Sequence, residues 1–493
     1  MNNLRIFITA IILMCAVTVV NAIDQDQNCE LHSLEQLKKE KKTSEKNFKW
    51  PKYKKLSFFE DYSELKKAKN VKNRDAFDKL KYIPLNADGD IWLSLGGQAR
   101  IRFEDFRNCS FATPDNNDDN YLLQRYFFHS DLHLGSYVRL FLEGRSAFAN
   151  SHDLPGGRKT TLHDEIDVMN AFVDVTIPIT NKLEAKVRAG RFEFYYGKGR
   201  MLACRNWSQL RRPYDGYKLK LSSENWWIEG FWAQGTENRK YEFNNVNDDL
   251  SIWGFYSHIS KKTILPFGLD FYVIAKDQFK PATRDERRMN IGVRLFDEIK
   301  NTNLSYDIEA ATQFDYRDSR EVSASMFAAE LKYQWKKNPL KPWMTVGFDW
   351  ASGDKDPADD KITTFEPISP FGHYYFGYMD IVGRQNIVSP WLGVGFKPTQ
   401  KLMTKLDVHW FYADEPADDL YNACNCSTII RNGSENAGDF IGTNIDVTLK
   451  YKFNHHLVGL IGYSYFFAGN FVEETAGGQD DIQRWMLQLQ FSF

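Results

Sequence analysis

Apolar and polar side chains alternate along most of this chain from residue 91 onward. The segment 91–106 places Ile101 and Phe103 on one face and Arg100 and Arg102 on the other. Successive side chains of a β-strand point to opposite faces, so this spacing predicts a sheet with one apolar and one polar face. Such a sheet must cover its apolar face with lipid or with a second sheet.

We predict eighteen such strands, an even number, as single-chain bacterial barrels require. Tight turns at 135–136, 180–181 and 454–455 alternate with the long connections 107–120, 194–212, 353–385 and 414–438. The predicted strands are 91–106, 121–134, 137–150, 165–178, 183–193, 213–222, 225–235, 248–260, 267–277, 286–297, 303–315, 321–335, 342–352, 386–398, 401–413, 439–453, 456–469 and 482–493.

The predicted fold class is therefore all-β, a transmembrane antiparallel β-barrel of the outer-membrane type. Short periplasmic turns and long external loops are the known asymmetry of such barrels, and the last strand alternates to a terminal Phe493, as their closing strands do. A secreted soluble β-sandwich is the alternative, because it also has period-two strands. Strands of a sandwich are normally shorter than these.

Composition alone does not reveal a membrane protein, because mean hydropathy is -0.50. Residues 1–22 have a basic start, an apolar run and small residues at the end, which predicts a signal peptide cut after Ala22. Residues 23–85 are expected to form a Lys-rich periplasmic leader and 86–493 the barrel. After residue 22 no apolar run reaches the roughly 20 residues of a membrane helix, so a membrane location requires a closed barrel.

The predicted inner face carries many cations on the early strands. Rings of Arg and Lys select anions in pores, and guanidinium groups bind carboxylates well. The alternative is that these residues form ion-pair ladders filling the wall, each contributing little. The predicted pore-lining residues are Arg100, Arg102, Arg125, Arg139, Arg145, Lys186, Arg188, Arg191, Glu104, Glu143 and Glu193.

Two further segments lead to specific expectations. The strand phase slips at Gly190, where a bulge would turn Arg191 and Glu193 towards the lumen. The loop 353–385 has alternating Asp residues like a calcium site but lacks the Gly and Glu positions of an EF-hand. Within it, the aromatic run 371–377 is expected to be an outer girdle or a plug that folds inward.

Neither metal nor catalytic chemistry is predicted. His129, His133, His409 and Ser464 have no nucleophile motif around them, so we do not expect an enzyme, although a barrel lipase or an adhesin is an alternative. Five cysteines remain after removal of the signal, and we expect loop disulfides whose pairing the sequence does not define. They are Cys29, Cys109, Cys204, Cys424 and Cys426.

Three groups of motifs together span residue 74 to the C-terminus: 74–85 with 95–104; 189–202, 205–208 and 214–216; and 352–354, 364–367, 372–380 and 385–386. They resemble the alginate export family of outer-membrane proteins. The resemblance implies an eighteen-stranded barrel that passes an anionic polyuronate outward through an Arg-rich constriction, with Arg100, Arg102 and Arg191 inside matching motifs. The Lys-rich leader and the loop cysteines depart from the family pattern.

We therefore expect passive export of an anionic, alginate-like polysaccharide, with no cofactor. The alternative is a general or anion-selective porin for uptake of small anionic solutes. Expected partners are the polysaccharide, outer-membrane lipid and periplasmic secretion proteins. The formal net charge of -2 gives no indication of nucleic-acid binding.

Overall fold

The computed structural model describes residues 50–66, 74–112, 118–151, 161–261, 265–280, 284–423 and 429–493. The predicted signal peptide lies outside these residues, as do Cys29, Cys424 and Cys426. The chain divides into two compact units: Met1–Gly96 with Ser130–Ser136 and Phe493, and Gly97–His129 with Tyr137–Ser492.

Eighteen strands form one closed antiparallel barrel, which confirms the predicted fold class. Each strand pairs with the next along the chain, and β18 pairs back with β1 from Ser492 opposite Gln98 to Gln483 opposite Arg107. The strands are β1 Ile91–Arg107, β2 Asp119–Leu134, β3 Val138–Asn150, β4 Asp164–Thr180, β5 Leu183–Phe192, β6 Tyr214–Ser223, β7 Trp226–Glu237, β8 Asn245–Ile259, β9 Gly268–Lys280, β10 Arg284–Glu298, β11 Leu304–Arg317, β12 Arg320–Gln334, β13 Trp343–Ala351, β14 Ile387–Phe396, β15 Leu402–Tyr412, β16 Phe440–Lys452, β17 Leu457–Ala468 and β18 Ile482–Ser492.

The two faces of the strands match the predicted alternation. On β1, Ile101 and Phe103 are 46% and 39% exposed, whereas Arg102 and Glu104 between and beside them are buried. Apolar side chains exposed in a continuous band are the expected surface for hydrocarbon contact. The polar face therefore encloses the lumen.

Connections alternate in length as predicted. One end of the barrel carries tight turns such as Gly135–Tyr137, and the other carries the longest loops, 193–213, 352–386 and 413–439. We call these ends the turn side and the loop side. Short elements outside the barrel strands are Cys109–Ala112, Gly372–Phe376 and Asn470–Glu473 as helical turns, and Lys361–Ile362, Leu420–Tyr421 and Ile429–Arg431 as strands.

The first unit contains three short 3₁₀ helices, Ser57–Phe59, Ser63–Lys66 and Ala76–Lys81, and the two-residue strand Ile83–Pro84, which pairs with the start of β1. Lys81 is buried and donates from Nζ to the Leu95 carbonyl at 3.0 Å. Among the described residues, no helix has both the length and the apolar character needed to cross a membrane.

The predicted bulge at Gly190 is wrong. Strand β5 keeps its register through this residue, with Gly190 opposite Phe172 on one side and Gly216 on the other. Glycine is required there because φ is +128° and a Cβ atom would lie 2.2 Å from the Ala171 carbonyl oxygen. The irregularity instead lies between β3 and β4, where the register shifts after Glu143.

Candidate functional site

Loop 193–213 folds against the inner wall of the barrel and is held there by predicted lumen cations. Arg100 donates to the carbonyls of Asn206 and Ser208 at 3.0 Å each, and Arg125 donates to the same two carbonyls at 3.1 and 2.9 Å. Both guanidinium groups are almost completely buried. These arginines thus lie inside the barrel as predicted, but they bind the loop backbone.

Arg102 and Glu104 connect the same wall to the loops. Arg102 Nε lies 2.6 Å from Glu104, and its guanidinium lies 4.3 Å from the ring centre of Trp207 in loop 193–213. Glu104 also pairs with Arg484 of β18 at 2.6 Å, and Arg484 pairs with Asp380 of loop 352–386 at 3.0 Å. A continuous buried network therefore joins the barrel closure to both loops.

Arg145, Glu143 and Glu193 form a second buried network around β3 and β4. Arg145 pairs with Asp164 at 2.5 Å, and Asn170 donates to Glu143 at 3.0 Å and to Glu193 at 3.1 Å. Glu193 is inside the barrel because the chain leaves β5 after Phe192 and turns inward. Its carboxylate accepts two hydrogen bonds from Arg211, at 2.7 and 2.6 Å.

Arg191 does not face the lumen, contrary to the prediction. With no bulge at Gly190, Arg191 shares the face of the exposed residues Val187 and Ala189. Its guanidinium pairs with Asp215 on β6 at 2.7 Å and reaches Asp167 at 3.5 Å. Register continuity therefore excludes Arg191 from the row that contains Arg188.

The remaining predicted cations join two lysines that the sequence analysis missed. We call Arg139, Lys186, Arg188, Lys218 and Lys220 the basic block. In the strand register, Lys186 lies directly opposite Lys220 and Arg188 directly opposite Lys218, all on the inner face near the turn side. The alternation of Lys218 and Lys220 with Tyr217 and Leu219 was the signal that would have identified them.

Only part of the basic block is neutralised. Arg188 and Arg139 share Asp174, at 2.7 and 3.8 Å, and Lys218 pairs with Glu229 at 3.2 Å. Among the residues that the structure describes, Lys186 and Lys220 form no ion pair. Lys220 instead lies 4.4 Å from the ring centre of Trp227.

Loop 352–386 is also folded inward, so the plug interpretation of the aromatic run 371–377 is the one that the structure supports. His373 stacks on Trp207 with ring centres 3.8 Å apart and hydrogen-bonds to Asp380 at 2.8 Å. Burial alone would raise the pKa of Asp380, but His373 and Arg484 lower it to about 2. Asp380 therefore remains ionised at any ordinary pH.

Arg200 is the point where the two inward loops and the opposite wall meet. Its buried guanidinium, from loop 193–213, pairs with Asp307 at 2.6 Å, Glu309 at 3.0 Å and Glu330 at 2.8 Å. It also lies 4.8 Å from the ring centre of Tyr375 in loop 352–386. Arg200 could not be selected from the sequence, because no periodicity marks a residue in a long loop.

A cavity of about 530 Å³ opens beside this cluster on the turn side. It is bounded by strands β8 to β15, with Lys198 and Tyr374 from the two inward loops at its edge. Cations, aromatic rings and four carboxylates line it, the carboxylates being those of Asp297, Glu298, Asp307 and Glu330. Its lining includes Phe296, Lys332, Trp343 and Trp391.

The acidic start of loop 352–386 also lines a cavity, of about 600 Å³, with Asp354, Asp356 and Asp359. Among the described residues, no three ligand atoms of this loop lie within 4.8 Å of one another. Elsewhere on the inner wall, the Ser464 hydroxyl donates to the side chain of Asn444 at 2.9 Å.

A closed eighteen-stranded barrel with an apolar outer band, a charged lumen and inward-folded loops defines an outer-membrane channel protein. The chain belongs to the alginate export family: the family profile described as "Alginate export" matches residues 91–485. The resemblance noted in the sequence is thereby confirmed. No curated protein matches the chain.

Solved structures with similar folds include several proteins of Pseudomonas aeruginosa. OccD3 (OpdP) is 10% identical with a TM-score of 0.54, covering 81% of this chain and 91% of that one. OccK8 (OprE) is 12% identical with a TM-score of 0.53, covering 81% and 98%. OprD is 12% identical with a TM-score of 0.52, covering 81% and 93%. At these identities, the likeness concerns the fold alone.

Proposed function

We propose that this channel exports an anionic polysaccharide, an alginate-like polyuronate, by passive diffusion. The observation that carries the proposal is the basic block on the inner wall, five cations against the carboxylates of Asp174 and Glu229. The family profile supports the direction of transport and the class of polymer. Outer-membrane lipid and periplasmic secretion proteins are the partners that this function requires.

The basic block is suited to transient binding of a carboxylate chain. Lys186 and Lys220 can replace part of the counterion shell of a uronate, while Arg188 and Lys218 remain attached to wall carboxylates. Conduction requires binding that is strong enough for entry and weak enough for release. Several shared, partly neutralised cations provide that balance better than one isolated strong site.

The arginines of β1 and β2 have another role in this proposal. Because Arg100 and Arg125 bind the carbonyls of loop 193–213, they fix the loop that narrows the lumen. In this proposal the basic block selects anionic substrates, and the inward loops narrow the lumen.

The test is single-channel recording with the purified protein in planar bilayers. Wild-type current should be blocked by low concentrations of polyuronate, and Lys186→Glu/Lys220→Glu should weaken the block about tenfold. This follows if each unit of charge change contributes roughly 0.2–1 kcal/mol and 1.4 kcal/mol corresponds to a factor of ten. The reversal potential in a salt gradient should shift towards cation preference.

Lys182→Glu/Lys300→Glu is the matched control, because it makes the same charge change at exposed positions in two turns. It should leave polyuronate block within about twofold of wild type. Wild-type current that passes small anions and is indifferent to polyuronate would contradict export and support the uptake porin.

A further inference from the structure

The turn-side cavity combines features of a ligand site. Its volume of about 530 Å³ falls within the roughly 300–1,000 Å³ of small-ligand pockets, which are lined by aromatic side chains with a few placed polar groups. The cavity lies on β8 to β15, whereas the cations of the basic block lie on β3, β5 and β6. The two are neighbours at β7, where Trp227 contacts both Lys220 of the block and His258 of the cavity lining. The function proposed above does not use its aromatic residues.

Three aromatic rings of the cavity lie across glycines of the neighbouring strand. In each pair, the glycine is the direct cross-strand partner of the aromatic residue, and an added Cβ atom would come within 2.1 to 2.5 Å of the ring. The rings are therefore held against the wall, as in other glycine–aromatic strand pairs, and do not project across the cavity. The pairs are Trp391 with Gly347, Trp343 with Gly395, and Phe296 with Gly268.

The cavity also has donors without partners. Among the described residues, the buried indole N–H of Trp391, a residue only 8% exposed, has no acceptor. Buried indole N–H groups usually find an acceptor, but Nε1 of Trp391 lies against the wall, so the indole must rotate slightly before a ligand in the cavity can supply the missing acceptor. Lys332 forms no ion pair within the described part of the chain, whereas Lys198 pairs with Glu330 at 2.8 Å and Lys405 with Asp407 at 2.7 Å.

Lys332 stands between two hydroxyl groups and an aromatic face. Ser305 and Thr345 are its direct cross-strand neighbours, and all three residues line the cavity. The ammonium lies 5.4 Å from the ring centre of Trp343. This arrangement matches a ligand with a carboxylate, several hydroxyl groups and a flat apolar ring face.

We propose that the turn-side cavity is a binding site for a short uronate segment of the transported polymer. The carboxylate pairs with Lys332, the C–H face of the sugar ring packs on Trp343, and a sugar hydroxyl accepts the hydrogen bond of Trp391. The site rests on the proposed function and adds a periplasmic position that engages the polymer by ring packing as well as charge. A neutral sugar would lack the Lys332 contact, and a simple anion would lack the aromatic contacts.

The experiment is calorimetric titration of the folded protein in detergent with a mannuronate trimer and with the neutral mannose trimer. The uronate trimer should bind at least about tenfold more tightly than the neutral one. Lys332→Gln and Trp391→Phe should each weaken uronate binding roughly five- to tenfold, since each removes one hydrogen-bonding or charged contact. Lys332→Gln should also remove most of the preference over the neutral trimer.

Two glycine-to-alanine variants test whether the position of the Trp391 ring matters for binding. Gly347→Ala places a methyl group under the Trp391 indole, which must move into the cavity, so uronate binding should be lost. Gly292→Ala is the matched control: its Cβ atom would meet the ring of Tyr272 at 2.1 Å, in a pair that does not line the cavity, and binding should persist. Retained heat-modifiability on gels verifies folding of both variants.

The outcomes separate this site from the proposed function. No trimer binding by wild type, equal binding of both trimers, or unchanged binding in Lys332→Gln and Trp391→Phe would overturn the cavity site. In each case, block of the current by long polyuronate, and its loss in Lys186→Glu/Lys220→Glu, would still support export. Absence of polymer block would overturn the function itself.

Discussion

Buried arginines in this barrel differ in what accepts their N–H groups. Arg100 and Arg125 bind backbone carbonyls, whereas Arg200 binds three carboxylates at 2.6 to 3.0 Å and has no exposed side-chain surface. Burial of a charge is costly unless an ion partner or hydrogen bonds compensate for the lost hydration. The groups that accept these hydrogen bonds therefore determine the role of each arginine: it holds a loop when they are backbone carbonyls, and it neutralises negative charge on the wall when they are carboxylates.

Replacing Arg200 with Met should be strongly destabilising. Asp307, Glu309 and Glu330 would be left close together and without their shared cation. Breaking a buried ion pair from one side typically costs about 3–5 kcal/mol. We expect a loss of this order in the free energy of unfolding, measured by urea titration in lipid vesicles.

Arg239→Met is the control for that loss. Arg239 is 43% exposed and pairs with Glu242 at 3.2 Å on the surface of the β7–β8 loop, so its removal should cost less than about 1 kcal/mol. Equal losses in the two variants would show that the Arg200 cluster is solvated and dispensable.

The inward face of each strand could be predicted residue by residue, but the partners on it could not. Alternation identified Arg100, Arg102 and Arg125 as facing the lumen because a strand has a fixed period. Their partners, 206–208, are more than 80 residues away in a loop without any period. The prediction that Arg191 faces the lumen was wrong. A glycine in a strand indicates either a bulge or a close approach of the neighbouring backbone, and Gly190 marks a close approach.

At the scale of elements, loop 193–213 is the part that most changes the channel. Charged donors on β1 and β2 hold its backbone, and the aromatic run of loop 352–386 stacks on it through Trp207 and His373. Hydrogen bonds to charged groups contribute roughly 1.5–3 kcal/mol each, so several together can keep a long loop ordered inside a wide barrel. The loop position therefore depends on the wall arginines.

The double variant Arg100→Ala/Arg125→Ala should release this loop. We expect single-channel conductance in concentrated salt to rise about twofold or more, with greater open-channel noise, because the carbonyls of 206–208 lose their charged donors and the loop fluctuates. Limited proteolysis should cut the loop faster than in wild type.

Arg287→Ala serves as the comparison, since Arg287 is 44% exposed and pairs with Asp277 on the loop side, away from loop 193–213. Its conductance should equal that of wild type. An unchanged conductance in the double variant would mean that loop 193–213 is held by its own packing.

Strand positions were predicted to within a few residues because lipid on one side and water on the other impose the same period on every strand. The strand β8 begins at Asn245, three residues earlier than predicted, because a register shift against β7 at residues 248–250 interrupts the alternation and the pairing resumes at Asn247. No comparable periodicity applies to the long loops. The aromatic run 371–377 was therefore left open between a girdle and a plug, and only the three-dimensional arrangement resolves it.

At the scale of the whole molecule, closure of β18 on β1 makes every strand an interior strand. Exposed sheet edges are not tolerated in hydrocarbon, because unpaired backbone groups cost several kcal/mol each. The consequence is that large apolar side chains on the outer wall are stable only while lipid covers them. Leu487, at the middle of β18 and 49% exposed, represents this surface.

Leu487→Arg should therefore cost about 2–4 kcal/mol of unfolding free energy in lipid vesicles, as charged substitutions do near the middle of a barrel wall. Leu85→Arg is the matched control, since Leu85 is 54% exposed but lies outside the barrel strands, and exposed sites in water change by only about 0.5 kcal/mol. The two leucines have nearly equal exposure, so a difference between the variants measures the medium that each side chain meets. Equal, small effects would mean that water covers the outer face of β18, and the chain could not then be a membrane channel.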